Sequence, residues 1–182
     1  MSGMIKKIAV AGIMMVVVVA MASAYGGGGA YQGTQVPIPG YSNIDTVAAM
    51  QGGYGYGASR SGSRYGGFGV SITNEETGEF MGAFGGVITG RQIRTGPFTL
   101  SANVWSGVGY ATAELVPVTA SLPGAVAFLA EATVEAGLAV LPWLQISAYG
   151  GYQAIGTFDM SAMFSNTRYT PIVGTRVTWG GF

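Results

Sequence analysis

Few side chains in this sequence could take part in chemistry. Charged residues make up only 9% of the 182 residues, and the chain contains neither cysteine nor histidine. Thiol chemistry, disulfides and lipid-modified cysteine are therefore excluded, and so are the most common general base and metal ligand. Glu131 and Glu135 lie on the polar side of one segment in which polar and apolar residues alternate. Arg91 and Arg176 are assigned to the polar sides of two other such segments.

These four charged residues allow three interpretations. Paired carboxylates occur in glycosidases, but here both lie in one segment without a recognisable acid–base environment. A proton or ion path is the second interpretation, and a structural network of ion pairs in a narrow interior is the third. We favour the network, formed by Arg91, Glu131, Glu135 and Arg176, because unpaired buried charges are costly. The sequence thus predicts no catalytic, cofactor-binding or metal-binding residue, and we expect that the protein is not an enzyme and needs no cofactor.

The segments that carry these charges are predicted to be β-strands, because their side chains alternate with a period of two. The alternation is clearest in residues 98–110 and 126–140. An alanine-rich helix over residues 123–141 remains the alternative there. The predicted strands are residues 28–36, 46–57, 64–74, 79–92, 97–113, 125–140, 143–157 and 168–182.

The alternation also predicts which residues face outward. Phe68, Val70 and Ile72 are assigned to an outer face, and Tyr54 and Tyr56 to a membrane-interface belt. The glycines assigned to the interior are residues 67, 69, 85, 107, 109 and 151. The spacing of Gly82, Gly86 and Gly90 matches a helix-packing motif, but we attribute that match to chance in so glycine-rich a chain.

The N-terminus has the features of a secretory signal. Lys6 and Lys7 precede an apolar run, and Ala22-Ser23-Ala24 has the small-x-small pattern of a cleavage site. We therefore expect cleavage after Ala24, with an uncleaved membrane anchor as the alternative. Loss of both lysines leaves six arginines against eight acidic residues, a net charge of −2 that indicates no nucleic-acid partner. The expected organisation is a signal peptide at 1–24, a Gly-rich segment that could supply a first strand and loop at 25–45, and a β-barrel at 46–182.

The composition indicates that the barrel lies in a membrane. Hydrophobic residues make up 49% of the chain, yet after the signal no apolar run is long enough for a spanning helix. Only a closed barrel can expose strands to lipid without leaving backbone polar groups unpaired. An even number of strands places both chain termini on the same side of the membrane, the periplasmic side. The turns at 94–97 and 141–143 then lie on that side, and the connections at 74–78, 114–124 and 158–167 lie on the external side.

Residues 46–182 resemble the small eight-stranded outer-membrane barrels of the OmpA/OmpX type. The most specific feature is the end, Val173-Gly-Thr-Arg-Val-Thr-Trp-Gly-Gly-Phe182, which looks like the terminal strand of that class. The resemblance implies a bacterial outer-membrane location, contact with membrane lipid, and an assembly machinery that reads Phe182. Phe182 is out of phase with Val177 and Trp179, so a bulge at Gly180–Gly181 or a degenerate signal is expected.

The expected function is that of an integral outer-membrane barrel of structural, adhesive or surface-antigen type, monomeric and with no identifiable small-molecule ligand. One alternative is a minor pore or carrier for small apolar molecules, if the glycines leave space in the interior. The other alternative is a secreted soluble adhesive protein, because residues 25–31 and 52–57 are rich in glycine and tyrosine.

Overall fold

The computed structural model describes residues 26–40, 47–116, 124–158 and 167–181. They form one closed antiparallel barrel of eight strands, and these ranges contain no helix. No helix in the described ranges is therefore long and apolar enough to cross a membrane. The strands are β1 (Gly26–Gln35), β2 (Ala48–Ala58), β3 (Ser63–Asn74), β4 (Phe80–Thr95), β5 (Phe98–Thr112), β6 (Gly124–Leu141), β7 (Leu144–Thr157) and β8 (Arg168–Gly181).

The prediction of eight strands is confirmed, and every predicted strand end lies within three residues of the observed one. The helix considered for residues 123–141 is wrong. β6 pairs with β5 and β7 along nearly its whole length, from Thr112–Gly124 to the turn at Leu141. Its alanines therefore serve as small side chains of a strand that alternates between the two faces of the sheet.

The strands are staggered around the barrel. Starting at Gly26 and passing from each register partner to the next, one goes around the ring to Pro171. Pro171 accepts a hydrogen bond from Val36 of the first chain segment. Val36 lies ten residues after the starting point Gly26, so the circuit closes with a shift of ten residues. A stagger of this size in eight strands tilts them by about 40° from the barrel axis. Such a barrel is so narrow that its own side chains can fill the interior.

The connections differ at the two ends of the barrel. The short connections 59–62, 96–97 and 142–143 lie at the end where β1 begins and β8 finishes. The longer connections 36–47, 75–79, 113–123 and 158–167 lie at the opposite end. Both predicted proline turns are therefore at the end of the barrel where β1 begins and β8 finishes. Gly96 completes one of them with a φ of 60°, a conformation that glycine adopts without strain.

The predicted facing is correct for β5 to β8 and wrong for β2, β3 and β4. Phe68, Val70 and Ile72 are buried inside the barrel, and Tyr54 packs against the same core. The two faces of β3 do alternate as predicted. Arg64 is the one charged residue of this strand, so polarity did not show which face points inward. The large side chains point inward because the interior must be filled, whereas Gly67 and Gly69 lie on the outside. Of the other glycines assigned to the interior, those at 107, 109 and 151 lie on the inner face and the one at 85 lies on the outer face.

The glycine spacing in β4 is not a helix-packing motif, because these residues form a strand. Gly82, Gly86 and Gly90 lie on the inner face and alternate there with Phe84 and Ile88. A Cβ atom at Gly86 would lie 2.1 Å from the carbonyl oxygen of a residue in β5. At Gly82, Gly86 and Gly90 the neighbouring strand β5 is therefore too close to leave room for a side chain. Phe84 and Ile88, which lie between these glycines, fill the barrel interior.

We predict that Gly86→Ala lowers the free energy of unfolding by about 1–3 kcal/mol, because the new methyl group must push β4 and β5 apart. Gly85→Ala is the matched control. Its Cβ would point outward with its nearest neighbour at 3.6 Å, an ordinary contact. Urea unfolding in detergent micelles measures both variants, and equal losses at the two positions would contradict the close approach.

Candidate functional site

A cluster of buried charges lies inside the barrel, centred on Arg176 of β8. Its Nη1 donates a hydrogen bond of 2.7 Å to Oε2 of Glu135, and its Nη2 lies 3.6 Å from Oε1 of Glu131. Both glutamates point inward from β6, four residues apart, so one arginine reaches both. All three side chains are almost completely shielded from solvent. The structure thus brings together three of the four residues of the expected network.

The fourth residue of the expected network, Arg91, lies elsewhere. It is exposed on the outer face of β4, because Gly90 and Ile88 occupy the inner positions of that strand. Arg91 pairs in register with Ala102, which is also exposed on the outer face. The assignment of Arg91 to the interior was therefore wrong, and the cause is the difficulty of choosing the inner face of β4 from the sequence.

Arg64 of β3 takes the place that was assigned to Arg91. Its Nη1 lies 3.6 Å from Oε2 of Glu135 and donates a hydrogen bond of 3.0 Å to Ser101. Its Nη2 donates to the hydroxyl of Tyr56 at 2.7 Å, and the guanidinium lies 4.1 Å from the centre of the Tyr56 ring. The sequence did contain a signal for Arg64, because it shares its face of β3 with Phe68. Recognising that face as the inner one would have placed Arg64 in the interior.

Neutral side chains complete the shell of hydrogen bonds around Glu135. Ser147 donates to Oε1 at 2.7 Å, and Asn103 donates to Oε2 at 3.4 Å. With Arg176 and Ser101 as additional donors, both carboxylate oxygens are occupied. A buried carboxylate needs such a set of partners to offset the loss of its hydration.

Glu131 leads to a second set of polar groups toward the other end of the barrel. Gln153 of β7 donates to Oε2 of Glu131 at 3.3 Å. Gln35 of β1 donates in turn to Oε1 of Gln153 at 2.6 Å. A single hydrogen-bonded chain therefore crosses the interior from the charge cluster to the end of β1.

Aromatic rings enclose the guanidinium of Arg176. Its central carbon lies 4.0 Å from the centre of the Tyr149 ring and 4.5 Å from the centre of the Trp105 ring. Tyr31 and Tyr54 lie further away, each at 5.9 Å. The faces of these rings attract a cation, and they also exclude water from the ion pairs. Tyr54 is held by a hydrogen bond between its hydroxyl and that of Thr178.

The remainder of the interior is apolar. Phe68 packs edge-on against Trp105, with ring centres 5.0 Å apart. Beyond this pair, toward the end with the longer connections, the buried core consists of Met50, Val70, Ile72, Met81, Phe84, Leu115, Leu129, Ile155 and Ile172. The polar cluster and this apolar core together occupy the interior along its length.

The opposite charges of the cluster balance each other. Two arginines face two glutamates, so the formal charges cancel. Within the described ranges, no group of three or more acidic residues could hold a metal ion. Ala22 and Ala24 of the expected cleavage site and Phe182 of the expected assembly signal lie outside the described residues.

We predict that the ion pair at the centre of the cluster is strongly coupled. Glu135→Gln and Arg176→Met should each lower the free energy of unfolding by about 3–5 kcal/mol, because each removes the closest partner of a buried charge and leaves the cluster with an uncompensated charge. The double variant should cost less than the sum of the two single changes. Urea unfolding of the four chains in detergent gives the coupling free energy.

Arg91→Met is the matched control for this cycle, since Arg91 is exposed on the outer face. Its effect on unfolding should stay within about 0.5 kcal/mol. Additive single changes, or an equal loss in the Arg91 variant, would show that the cluster does not act as one unit.

Comparisons with protein-family models, with curated proteins and with solved structures found no match for this chain. The closed eight-stranded barrel and its charge cluster are therefore the basis for inferring a function.

Proposed function

We propose that this chain is an integral outer-membrane β-barrel protein, non-catalytic, with a structural role as a rigid support for surface-exposed connections. The observation that carries this proposal is the apolar outer surface of the barrel. Residues that are large, apolar and exposed occur on β3 to β8, among them Val87, Val104, Val134 and Val173. In water such a surface would promote aggregation, whereas lipid accommodates it.

Exposed aromatic residues flank this apolar surface at both ends of the barrel. Phe98, Trp143 and Trp179 lie at the end with the short turns, and Phe80, Tyr110 and Tyr169 lie toward the other end. Two such aromatic belts are typical of barrels that cross a membrane, because these side chains favour the interface between lipid and water. The outward-facing charge of Arg91 fits the same arrangement, since Arg91 lies within the last five residues of β4.

The difference between the two ends supports the outer-membrane assignment. Barrels of that membrane have short periplasmic turns and longer external connections. The proposal therefore places 59–62, 96–97 and 142–143 in the periplasm and the four longer connections outside the cell. Export through residues 1–24 with cleavage after Ala24, and assembly through recognition of Phe182, belong to the same proposal.

The filled interior favours a structural role over transport. A pore needs a continuous aqueous path, whereas here Arg176, Trp105 and the two glutamates meet across the centre. The glycines that were considered as a source of lumen space do not provide it. Gly67, Gly69 and Gly85 lie on the outside, and a Cβ at Gly107 or Gly109 would lie under 3 Å from backbone atoms of β4.

We predict that the chain is recovered in outer membranes with an N-terminus at Tyr25, and that it migrates faster on SDS gels before boiling than after. A closed barrel resists SDS until it is heated, which a loosely folded soluble protein does not. Recovery of a chain that still begins at Met1 in the inner membrane, or migration unaffected by heating, would overturn the proposal.

Val134→Arg provides a sharper test with the same gel. This variant places a charge on the apolar surface near the middle of β6 and should cost about 2–4 kcal/mol, which reduces the heat-modifiable fraction in urea. Glu75→Arg adds the same side chain in the exposed turn between β3 and β4 and should have no such effect. Equal stability of the two variants would show that Val134 does not face lipid.

We also predict no stepwise conductance when the purified barrel is inserted into planar lipid bilayers, because the charge cluster and its aromatic rings close the interior. An empty-vesicle fusion serves as the baseline. Reproducible single-channel steps that depend on the protein would favour the pore and exclude a purely structural barrel.

A further inference from the structure

A row of polar side chains interrupts the apolar outer surface. Thr175 of β8 is the register partner of Gln32 in β1, Gln32 is the partner of Gln51 in β2, and Gln51 is the partner of Ser71 in β3. Gln32, Gln51 and Thr175 are exposed, and Ser71 is half-exposed on the same outer face. We call these four residues the polar row.

The polar row crosses the region where the proposed barrel would contact lipid tails. Thr175 lies six residues from Tyr169 and four from Trp179, the two aromatic residues that mark the ends of β8. Its outward neighbours on that strand, Val173 and Val177, are apolar. The contrast with the opposite side of the barrel is clear, because all outward residues of β6 are alanine, valine, leucine or phenylalanine.

The two glutamine amides of the polar row lack hydrogen-bond partners among the residues that the structure describes. Neither Gln32 nor Gln51 makes a side-chain hydrogen bond to any other residue in the described ranges, whereas the inward-facing Gln35 and Gln153 bond to each other. Transfer of an amide from water into lipid without a hydrogen-bond partner costs up to several kcal/mol of free energy. A polar partner that covers this surface would therefore be favourable, because it would give both amides hydrogen-bond partners.

The surface around the polar row is smooth. Gly53 and Gly55 of β2, Gly67 and Gly69 of β3 and Gly85 of β4 all lie on the outer face. Without side chains at these positions, another backbone can approach closely, as small residues permit in other membrane-protein interfaces. Neither the row nor these glycines carry a charge.

We propose that a second copy of this chain packs against the polar row, so that the barrel forms a two-fold symmetric dimer in the membrane. The inference rests on the proposed membrane location. A side-chain amide both donates and accepts hydrogen bonds, so an uncharged row of glutamines is complementary to itself across a two-fold axis. A charged partner would instead have to bury its charge without a counterion.

The size of the surface indicates a reversible dimer. Four strands separated by three spacings of about 4.8 Å give a width of about 14 Å, and a similar height gives roughly 200 Å² per copy. Stable complexes in water bury about 800 Å² per partner. Confinement to one membrane plane raises the effective concentration of the two copies, which favours reversible association through a small contact. This proposal replaces the monomer expected from the sequence.

Cysteine cross-linking tests the dimer, because the natural chain has no cysteine. Gly53→Cys places a thiol beside Gln51, where the new Cβ has its nearest neighbour at 3.5 Å and fits without strain. Val134→Cys is the matched control on the opposite side of the barrel. In lipid vesicles treated with a short bismaleimide, the Gly53→Cys chain should shift from the monomer to a band of twice the mass, and the control should remain monomeric.

A second set of variants tests the role of the amides. Gln32→Leu with Gln51→Leu in the Gly53→Cys chain should abolish the dimer band, and Thr175→Val should weaken it. Persistence of the dimer in the glutamine variant, equal cross-linking at Gly53→Cys and Val134→Cys, or cross-linking at neither, would overturn the proposal. A cross-linked band of another mass in whole outer membranes would also overturn it, since the occupant would then be a different protein.

Heat modifiability of every variant, read on the same gels, separates this proposal from the one on which it rests. A chain that shifts on heating but does not cross-link is a membrane barrel without the dimer. A wild-type chain that shows no shift refutes the membrane barrel itself.

Discussion

The pairing of β1 with β8 is the constraint on which the rest of the structure depends. It joins the first and last strands from Gly26–Gly181 to Gln35–Ile172 and leaves no strand edge in the barrel. The number of strands and their stagger then determine the interior diameter. Inward side chains must together fill a cylinder of that size, and this requirement explains both the glycines where strands approach each other and Trp105 at the centre.

The interior is filled in two ways, with the apolar core toward the end with the longer connections and the charge cluster next to it. β2, β3 and β4 supply Met50, Ile72 and Phe84 to an apolar core. β6 supplies Glu131 and Glu135, so the neighbouring part of the interior must also hold arginines and hydrogen-bond donors. The aromatic rings around Arg176 connect the two parts, since they pack with the apolar core on one side and contact a cation on the other.

The sequence predicted the strands well and the inner face only where polar residues marked it. β5 to β8 each alternate polar residues such as Asn103, Glu135 or Arg176 with apolar ones, so the outward-facing side was evident. In β2 and β3 the two faces differ mainly in size, glycine against tyrosine or phenylalanine, and hydrophobicity alone selected the wrong face. The misplacement of Arg91 and the omission of Arg64 have the same cause. Whether large or small side chains point inward depends on the diameter of the closed barrel. That diameter cannot be read from the sequence of one strand.

Buried charge also gives the barrel a means of specifying its register. The ion pairs of Arg176 offset the loss of hydration but need not stabilise the fold beyond an apolar core of equal volume. Their effect on alternatives is larger. A slip of β8 by one residue would turn Arg176 toward the outer surface and leave Glu131 and Glu135 with Arg64 alone. The same slip would move a side chain into the place of Gly174, where a Cβ atom would lie 2.2 Å from the carbonyl oxygen of Gln32. The charge cluster and this close approach therefore both favour the observed register of β1 with β8.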